Sequence, residues 1–215
     1  MSLGSFVRRL FGSYEHRIAA VYRAIYIDMD ALIECFLRWQ PSATRILEVG
    51  CGEGAVTERL NSAYGGATIT AIDITPRVGR LYRGPRERVR FVQCAVQKIA
   101  VSEPARYDLV ILSDVMHHVP VELRQGLLDS IRAALAPGGL FIFKEWERNI
   151  APIHWLAYAS DRWLTGDRIH YMARDEMHER LMRSFGADAL VAEARIGPWW
   201  NNLAMLVRRE ATGPA

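Results

Sequence analysis

Residues Arg45-Ile-Leu-Glu-Val-Gly-Cys-Gly-Glu-Gly-Ala55 constrain this chain more than any other stretch. Ile46-Leu47 is a short apolar run that reads as a buried strand. Gly50, Gly52 and Gly54 follow at alternate positions and read as a tight turn, where backbone approaches a ligand with no Cβ in the way. From Ala55 to Tyr64 the spacing is helical, with Val56, Leu60 and Ala63 on one side. Strand, glycine turn and helix make a unit that cradles nucleotides. Gly50, Gly52 and Ala55 satisfy the dinucleotide fingerprint G-x-G-x-x-G/A, so an NAD(P)-linked oxidoreductase is one reading. Glu48 favours another. A carboxylate there would face a pyrophosphate with like charge, and it suits a cationic ligand instead.

The chain then alternates strands with helices. Ala67–Asp73 is rich in β-branched residues and ends in an acid. An acid about 20 residues past the glycine turn sits at the end of the neighbouring strand, where it can accept ribose hydroxyls. Both cofactor readings expect it, and Asp73 could equally cap a helix before Thr75-Pro76. Arg88–Cys94 reads as a third strand. Tyr107–Ser113 is a fourth, almost continuously apolar, as in a parallel strand covered on both faces. Asp114-Val-Met-His117-His118-Val119 follows its carboxyl end, where open α/β sheets bind ligands. Pro120 opens a helix whose buried face is Leu123, Leu127, Leu128, Ile131 and Leu135. Pro137-Gly138-Gly139 ends that helix, and Leu140–Phe143 is the fifth strand.

Three of these features resemble class I S-adenosylmethionine (SAM)-dependent methyltransferases. The first is Glu48-Val-Gly50-Cys-Gly52-Glu-Gly54, which matches the family's acid-x-G-x-G-x-G. The second is Asp73. The third is a helix followed by Leu135-Ala-Pro-Gly-Gly139 and an apolar strand. The resemblance covers about residues 45–146. It implies a Rossmann-like, doubly wound α/β fold with a seven-stranded sheet in the order 3-2-1-4-5-7-6, the last strand antiparallel, and helices on both faces. It also implies SAM as cofactor and S-adenosylhomocysteine as product. Glu48 would act near the methionine ammonium. The turn Gly50-Cys51-Gly52 would contact the methionine part, Asp73 the ribose, and Ile74 the adenine, with Ser113 closing the site. The family usually has an acid for the adenine amino group after the third strand. Here Cys94-Ala95-Val96 stands in its place, which leaves that task to backbone near Ala95 and Val96.

The methyl acceptor is expected to be a small molecule, flat (aromatic) or hydrophobic. Residues 1–41 read as a helical cover ahead of a methyltransferase domain over 42–215. From Tyr14 to Trp39, apolar residues recur at three- and four-residue steps in one helix or two, which either pack on the core or, as the family implies, cover the site with Tyr14, Arg17 or Tyr22 facing it. Such a basic, aromatic helix could also touch a membrane surface weakly. Residues 146–173 read as an aromatic insertion: Trp146, His154, Trp155, Tyr158, Trp163, His170 and Tyr171 either roof the substrate, as the family implies, or form ordinary core. Thr165-Gly-Asp167 reads as a turn within it. Arg174–Phe185 is a helix stopped by Gly186. Ala189–Ile196 and Leu203–Val207 are the last strands. The family's strand order puts the loop between them, with Trp199 and Trp200, at the cofactor end of the sheet.

A hydroxyl acceptor needs a base near neutral pKa, which points to histidine. His117 and His118 are best placed. Laid beside plant small-molecule O-methyltransferases, His117 falls on their catalytic histidine. A similar His-His-Val stands in methyltransferases resembling the quinone-biosynthesis C-methyltransferases, where it need not be a base. His154, His170 and Tyr171 are reserves. Asp114, Glu145 and Asn149 fit a catechol-type metal site poorly, so no metal is expected. O-methylation is favoured, with C- or N-methylation of a quinone-like metabolite and a silent SAM-binding partner subunit as alternatives. The 215 residues suffice for one α/β domain with additions. A net charge of +3, with basic residues dispersed, gives no argument for nucleic acid. Three cysteines, at spacings that fit no metal site, suit a reducing cytosol. No apolar run approaches the roughly 18 residues of a membrane span, and a monomer or homodimer in the cytoplasm is expected.

Overall fold

The computed structural model describes residues 26–149, 153 and 169–211. Seven strands form one sheet: β1 (Arg45–Val49), β2 (Thr68–Asp73), β3 (Val89–Gln93), β4 (Tyr107–Ser113), β5 (Leu135–Trp146), β6 (Leu190–Ile196) and β7 (Asn202–Arg208). Their order is β3-β2-β1-β4-β5-β7-β6. The first five pair in parallel, and β7 runs antiparallel to both β5 and β6. This is the doubly wound Rossmann-like topology expected from the sequence.

Helices α1 (Met29–Trp39) and α2 (Ala55–Ala63) cover one face; α3 (Val96–Ser102), α4 (Arg124–Ala134) and α5 (Arg174–Phe185) cover the other. Strand alternation feeds both layers. Ile46, Leu109, Ile111 and Ile142 pack with Leu32, Phe36 and Leu60 on the first face. Leu47, Leu112, Phe141 and Phe143 pack with Leu128, Ile131, Met177 and Phe185 on the second. Both faces of β4 are therefore dry, which explains its unbroken apolar run.

Several elements depart from their expected bounds. Asp28 caps α1, its Oδ1 accepting from Asp30 N and Ala31 N, so the helical stretch is interrupted before Met29. On α2 the buried residues are Thr57, Leu60 and Asn61, while Val56 and Ala63 are half-buried. Val56 lines a cavity beyond the glycine turn. Residues 116–118 and 121–123 form short 3₁₀ turns, and α4 begins only at Arg124. Leu123 is consequently exposed, and Arg124 occupies the buried position next to it. Leu135 already belongs to β5 and pairs with Tyr107, but the register then breaks: the next pair is Leu109 with Leu140, and Ala136–Gly139, with Gly138 at φ +74°, bulge out between them. At its other end β5 continues to Trp146, carrying Lys144 and Glu145 into the interior. No helix among the described residues is long and apolar enough to cross a membrane.

Candidate active site

The glycine turn is strung between two strands. Gly50 N and Cys51 N both donate to Ile72 O of β2, at 2.8 and 3.0 Å. Gly52 N donates to Asp73 Oδ2 at 2.8 Å, and Asp73 Oδ1 accepts from Thr75 N at 2.9 Å. One carboxylate thus fixes the turn and the chain leaving β2 together. Gly50, Gly52 and Gly54 have φ of +76°, +51° and +94°, a region side chains rarely adopt. They are constrained differently. A methyl at Gly50 would strike Val115, whereas Gly52 has nothing within 4 Å of where a Cβ would stand.

That open space belongs to a cavity of about 340 Å³. Its floor is Glu48 to Glu53, and Tyr26, Ile27, Met29 and Leu32 close it at the start of α1. Ser113, Asp114, His117 and His118 come from the end of β4; Lys144, Trp146, Tyr171 and Asn202 form the far wall. The cover is tied down, since Asp28 N donates to Gly197 O at 2.8 Å and Asn202 Nδ2 to Tyr26 O at 2.7 Å.

Glu48 is 4% exposed and borders this cavity. Burial, and secondarily the negative charge of Asp73, push its carboxyl up to about 7, while Thr57 pulls it back. Its Oε2 has no hydrogen-bond partner among the described residues. A buried carboxylate oxygen left so is costly unless something else satisfies it. An open glycine cradle beside a buried acid with one oxygen unsatisfied fits a ligand with a cationic head and a backbone-hugging chain. The methionine end of SAM has both. Burial also raises the Cys51 thiol well above its ordinary value, so this residue serves as a neutral wall.

The other half of the site hangs on Glu145. This residue is 1% exposed, and its Oε1 accepts from Val115 N at 2.8 Å and Met116 N at 2.5 Å. Its Oε2 lies 2.7 Å from His117 Nδ1. A carboxylate there fixes Nδ1 as the protonated nitrogen and leaves Nε2 as the basic one. The His117 ring is also flanked by Tyr171, with centroids 4.9 Å apart, and by His118 at 4.2 Å. Arg124 steadies the same turn from below. Its Nε donates to Val119 O at 3.0 Å and its Nη2 to His170 O at 2.7 Å, while His170 N donates to His117 O at 3.1 Å. Burial lowers the Arg124 pKa.

The structure gathers Glu48, Gly50, Cys51, Gly52, Ser113, His117, His118, Trp146 and Tyr171 around one cavity. Asp73 stands behind the turn, and Ile74 is exposed just beyond β2. Ala95 is the exposed cap of α3, with Val96 buried behind it. The His170 side chain is exposed, and only its backbone joins the site. Trp199 and Trp200 lie in the β6–β7 loop outside the cavity wall, where Asn202 takes the place expected of them. Tyr14, Arg17, Tyr22, His154, Trp155, Tyr158, Trp163 and the 165–167 turn lie outside the described residues. Among those described, no three His, Cys, Asp or Glu side chains converge as a metal site would need.

In sequence, Asp114, Glu145 and Asn149 stand only as a poorly spaced metal set. Glu145 pairs with His117, and Asp114 pairs with Lys144 at 2.6 Å. Lys144 and Arg124 were missed altogether. The available signal was the tail Lys144-Glu145-Trp146 on a strand otherwise apolar, since charge at the end of a sandwiched strand must find partners.

Comparison with known proteins agrees with this geometry. Residues 14–191 match the model of a methyltransferase domain family. The ubiquinone biosynthesis O-methyltransferase of Idiomarina loihiensis is 32% identical over 110 residues, 49% of this chain and 44% of that protein. Its counterpart from Bordetella bronchiseptica is 30% identical over 112 residues, 50% of this chain and 45% of that protein. The matched region thus spans less than half the length of these curated relatives. Among solved structures, Burkholderia thailandensis 1,6-didemethyltoxoflavin-N1-methyltransferase, bound to 1,6-didemethyltoxoflavin and S-adenosylhomocysteine, superposes with a TM-score of 0.66 at 23% identity, covering 96% of this chain and 88% of that one. Human N-acetylserotonin methyltransferase in complex with SAM gives 0.67 at 20% identity, covering 95% and 58%. At these identities the structural likeness speaks to fold alone, whereas the family match runs through the glycine turn, Asp73 and the His117 loop. The chain therefore belongs to the methyltransferase domain family, with the class I, Rossmann-like architecture of SAM-dependent methyltransferases.

Proposed function

We propose that this protein transfers a methyl group from SAM to an oxygen of a small, flat, largely apolar molecule, with His117 as general base. The observation that carries this reading is the 2.7 Å contact between His117 Nδ1 and Glu145 Oε2 on the wall of the cavity that begins at the glycine turn. SAM, when bound, supplies a methyl on a positively charged sulfur that a lone pair displaces in line. Glu48 and the turn hold the cationic end, and Asp73 keeps the turn in register. Tyr26, Trp146 and Tyr171 offer ring faces and exclude water around the acceptor. His117 takes the hydroxyl proton at Nε2 as the oxygen attacks, and Glu145 stabilises the imidazolium that forms. No covalent intermediate is needed, because alignment in a dry site supplies most of the rate.

The named relatives act in ubiquinone biosynthesis as O-methyltransferases, so quinol-like acceptors are the first to test. The start of α1 and the residues before it are read as part of the cover, since Tyr26, Ile27, Met29 and Leu32 border the cavity. The test uses purified protein, tritiated SAM and a panel of phenols, quinols and carboxylic acids. Label is expected on oxygen, with turnover lost in His117→Ala. Label on carbon or nitrogen with His117→Ala fully active would overturn the base assignment. Binding of NADPH in place of SAM would overturn the reading as a whole.

A further inference from the structure

A buried Lys144 and a half-exposed Asp114 form a second pair in the same cavity, and the methyl-transfer reading above leaves it without a task. The Lys144 side chain is 2% exposed, and its Nζ lies 2.6 Å from each Asp114 oxygen. The Asp114 side chain is 39% exposed, so the carboxylate faces the cavity with the ammonium behind it. Backbone geometry is spent on this placement. Asp114 has φ +55°, one of two such non-glycine residues among those described, and its N–H is held by Lys144 O at 2.9 Å. Ser113 Oγ adds a donor to Asp114 Oδ2 at 3.3 Å. Two charges taken from water rarely stabilise a fold better than apolar residues of the same size, and strained backbone of this kind gathers at functional sites. Lys144 points to the α1 side of the sheet and Glu145 to the α4 side, because neighbours on a strand alternate. The pair is thus a separate feature from the His117–Glu145 dyad, although both reach one cavity.

We propose that Asp114, neutralised and aimed by Lys144, is a carboxylate that anchors the acceptor. It accepts a hydrogen bond from a hydroxyl or N–H group of the acceptor other than the group deprotonated by His117. The preferred substrate class is then a flat molecule with two donor groups near one another, one methylated and one held. Asp114 is a specificity-determining residue, and Lys144 is a positioning residue acting through it. The proposal rests on the methyl-transfer reading.

The test is calorimetric binding of matched probes to the complex with S-adenosylhomocysteine: 1,2-dihydroxybenzene and 2-aminophenol, against 2-methoxyphenol and phenol. The wild type is expected to bind the two-donor probes at least tenfold more tightly than their blocked or single-donor counterparts. Asp114→Asn combined with Lys144→Met removes both charges, so neither is left buried alone, and asparagine tolerates the left-handed backbone. That variant is expected to bind S-adenosylhomocysteine as the wild type does and to lose the tenfold preference. Equal affinity for all four probes in the wild type, no binding of any of them, or a preference that survives in the double variant overturns the proposal. Failure of the wild type to bind S-adenosylhomocysteine would instead bring down the methyl-transfer reading beneath it.

Discussion

Replacing Glu48 by glutamine is expected to stabilise the unliganded protein at pH 8 while weakening its grip on a cationic ligand. The folded carboxyl sits at about 7, against an ordinary 4.5, because burial disfavours its charged form. Below the ordinary value both folded and unfolded chains hold the proton, and the site costs nothing. As pH rises from 4.5 towards 7 the unfolded chain releases the proton first, so stability falls across that window. Above about 7 both states are ionised and the full penalty stands. At about 1.4 kcal/mol per pKa unit it amounts to about 3 kcal/mol. Glutamine never ionises, so its advantage over wild type should grow through this window and level off near pH 8. In a chain of this size about 3 kcal/mol corresponds to a gain in Tm of about 6–12 °C. Urea unfolding of ligand-free wild type and Glu48→Gln at several pH values measures the difference, in which all other titrating groups cancel. SAM calorimetry on the same samples should show weaker binding by the variant. A stability difference independent of pH, or a wild type more stable at pH 8, would refute the assignment of Glu48 as a buried, uncompensated acid.

Asp73→Ala removes the acceptor for both Gly52 N and Thr75 N, charge-assisted bonds worth roughly 1.5–3 kcal/mol each. It should weaken SAM at least tenfold, and a folded variant with unchanged affinity would refute the role. His117→Ala should lower turnover by about 10²–10⁴-fold at constant SAM affinity. Glu145→Gln should act in the same direction, because a carboxamide turned to accept from Val115 and Met116 presents N–H to His117 Nδ1 and favours the wrong tautomer. Single-turnover rates check both variants. Gly50→Ala forces a side chain into a left-handed backbone, at about 1–2 kcal/mol, and drives its methyl into Val115. Thermal melts of Gly50→Ala, Val115→Ala and the double variant should show the second change relieving part of the first, and strict additivity would refute the contact.

Periodicity made most of the scaffold legible. β4 and α5 fall on their expected residues, because an apolar run buried on both faces and a four-residue stripe ending at glycine have few alternative readings. The glycine turn was legible because three glycines beside an acid satisfy few other needs. Boundaries failed where polar atoms or glycine overrode pattern. Leu123 fits the α4 stripe on spacing alone, yet the two 3₁₀ turns rotate it outward and give its place to Arg124, whose guanidinium serves two backbone carbonyls. Pro137-Gly138-Gly139 reads as an end, yet the chain only bulges there, with Gly138 at a positive φ, before β5 pairs again at Leu140. Trp199 and Trp200 are placed near the cavity by the family's strand order. The sheet order does bring their loop to the right end, but β7 begins at Asn202, and it is Asn202 that reaches the wall.

Lys144 and Glu145 show why the site itself was less legible than its frame. They are consecutive, so a strand must send them to opposite faces, and in sequence they look like an ordinary solvated pair. In the fold they latch one loop at two points. Lys144 takes Asp114 by side chain and backbone, and Glu145 takes Val115, Met116 and His117. The loop is held from a third side as well, because Val115 fills the space that the missing Cβ of Gly50 leaves. His117 and Asp114 therefore share one short segment, packed through Val115 on the glycine turn, whose position is set by β5 and by the turn after β1 together. A displacement at Gly50 reaches His117 through two residues of chain. No pattern within the 114–118 stretch records this, because the partners that fix it lie elsewhere in the chain, at Lys144 and Glu145 on β5, at Gly50, and at Arg124 and His170.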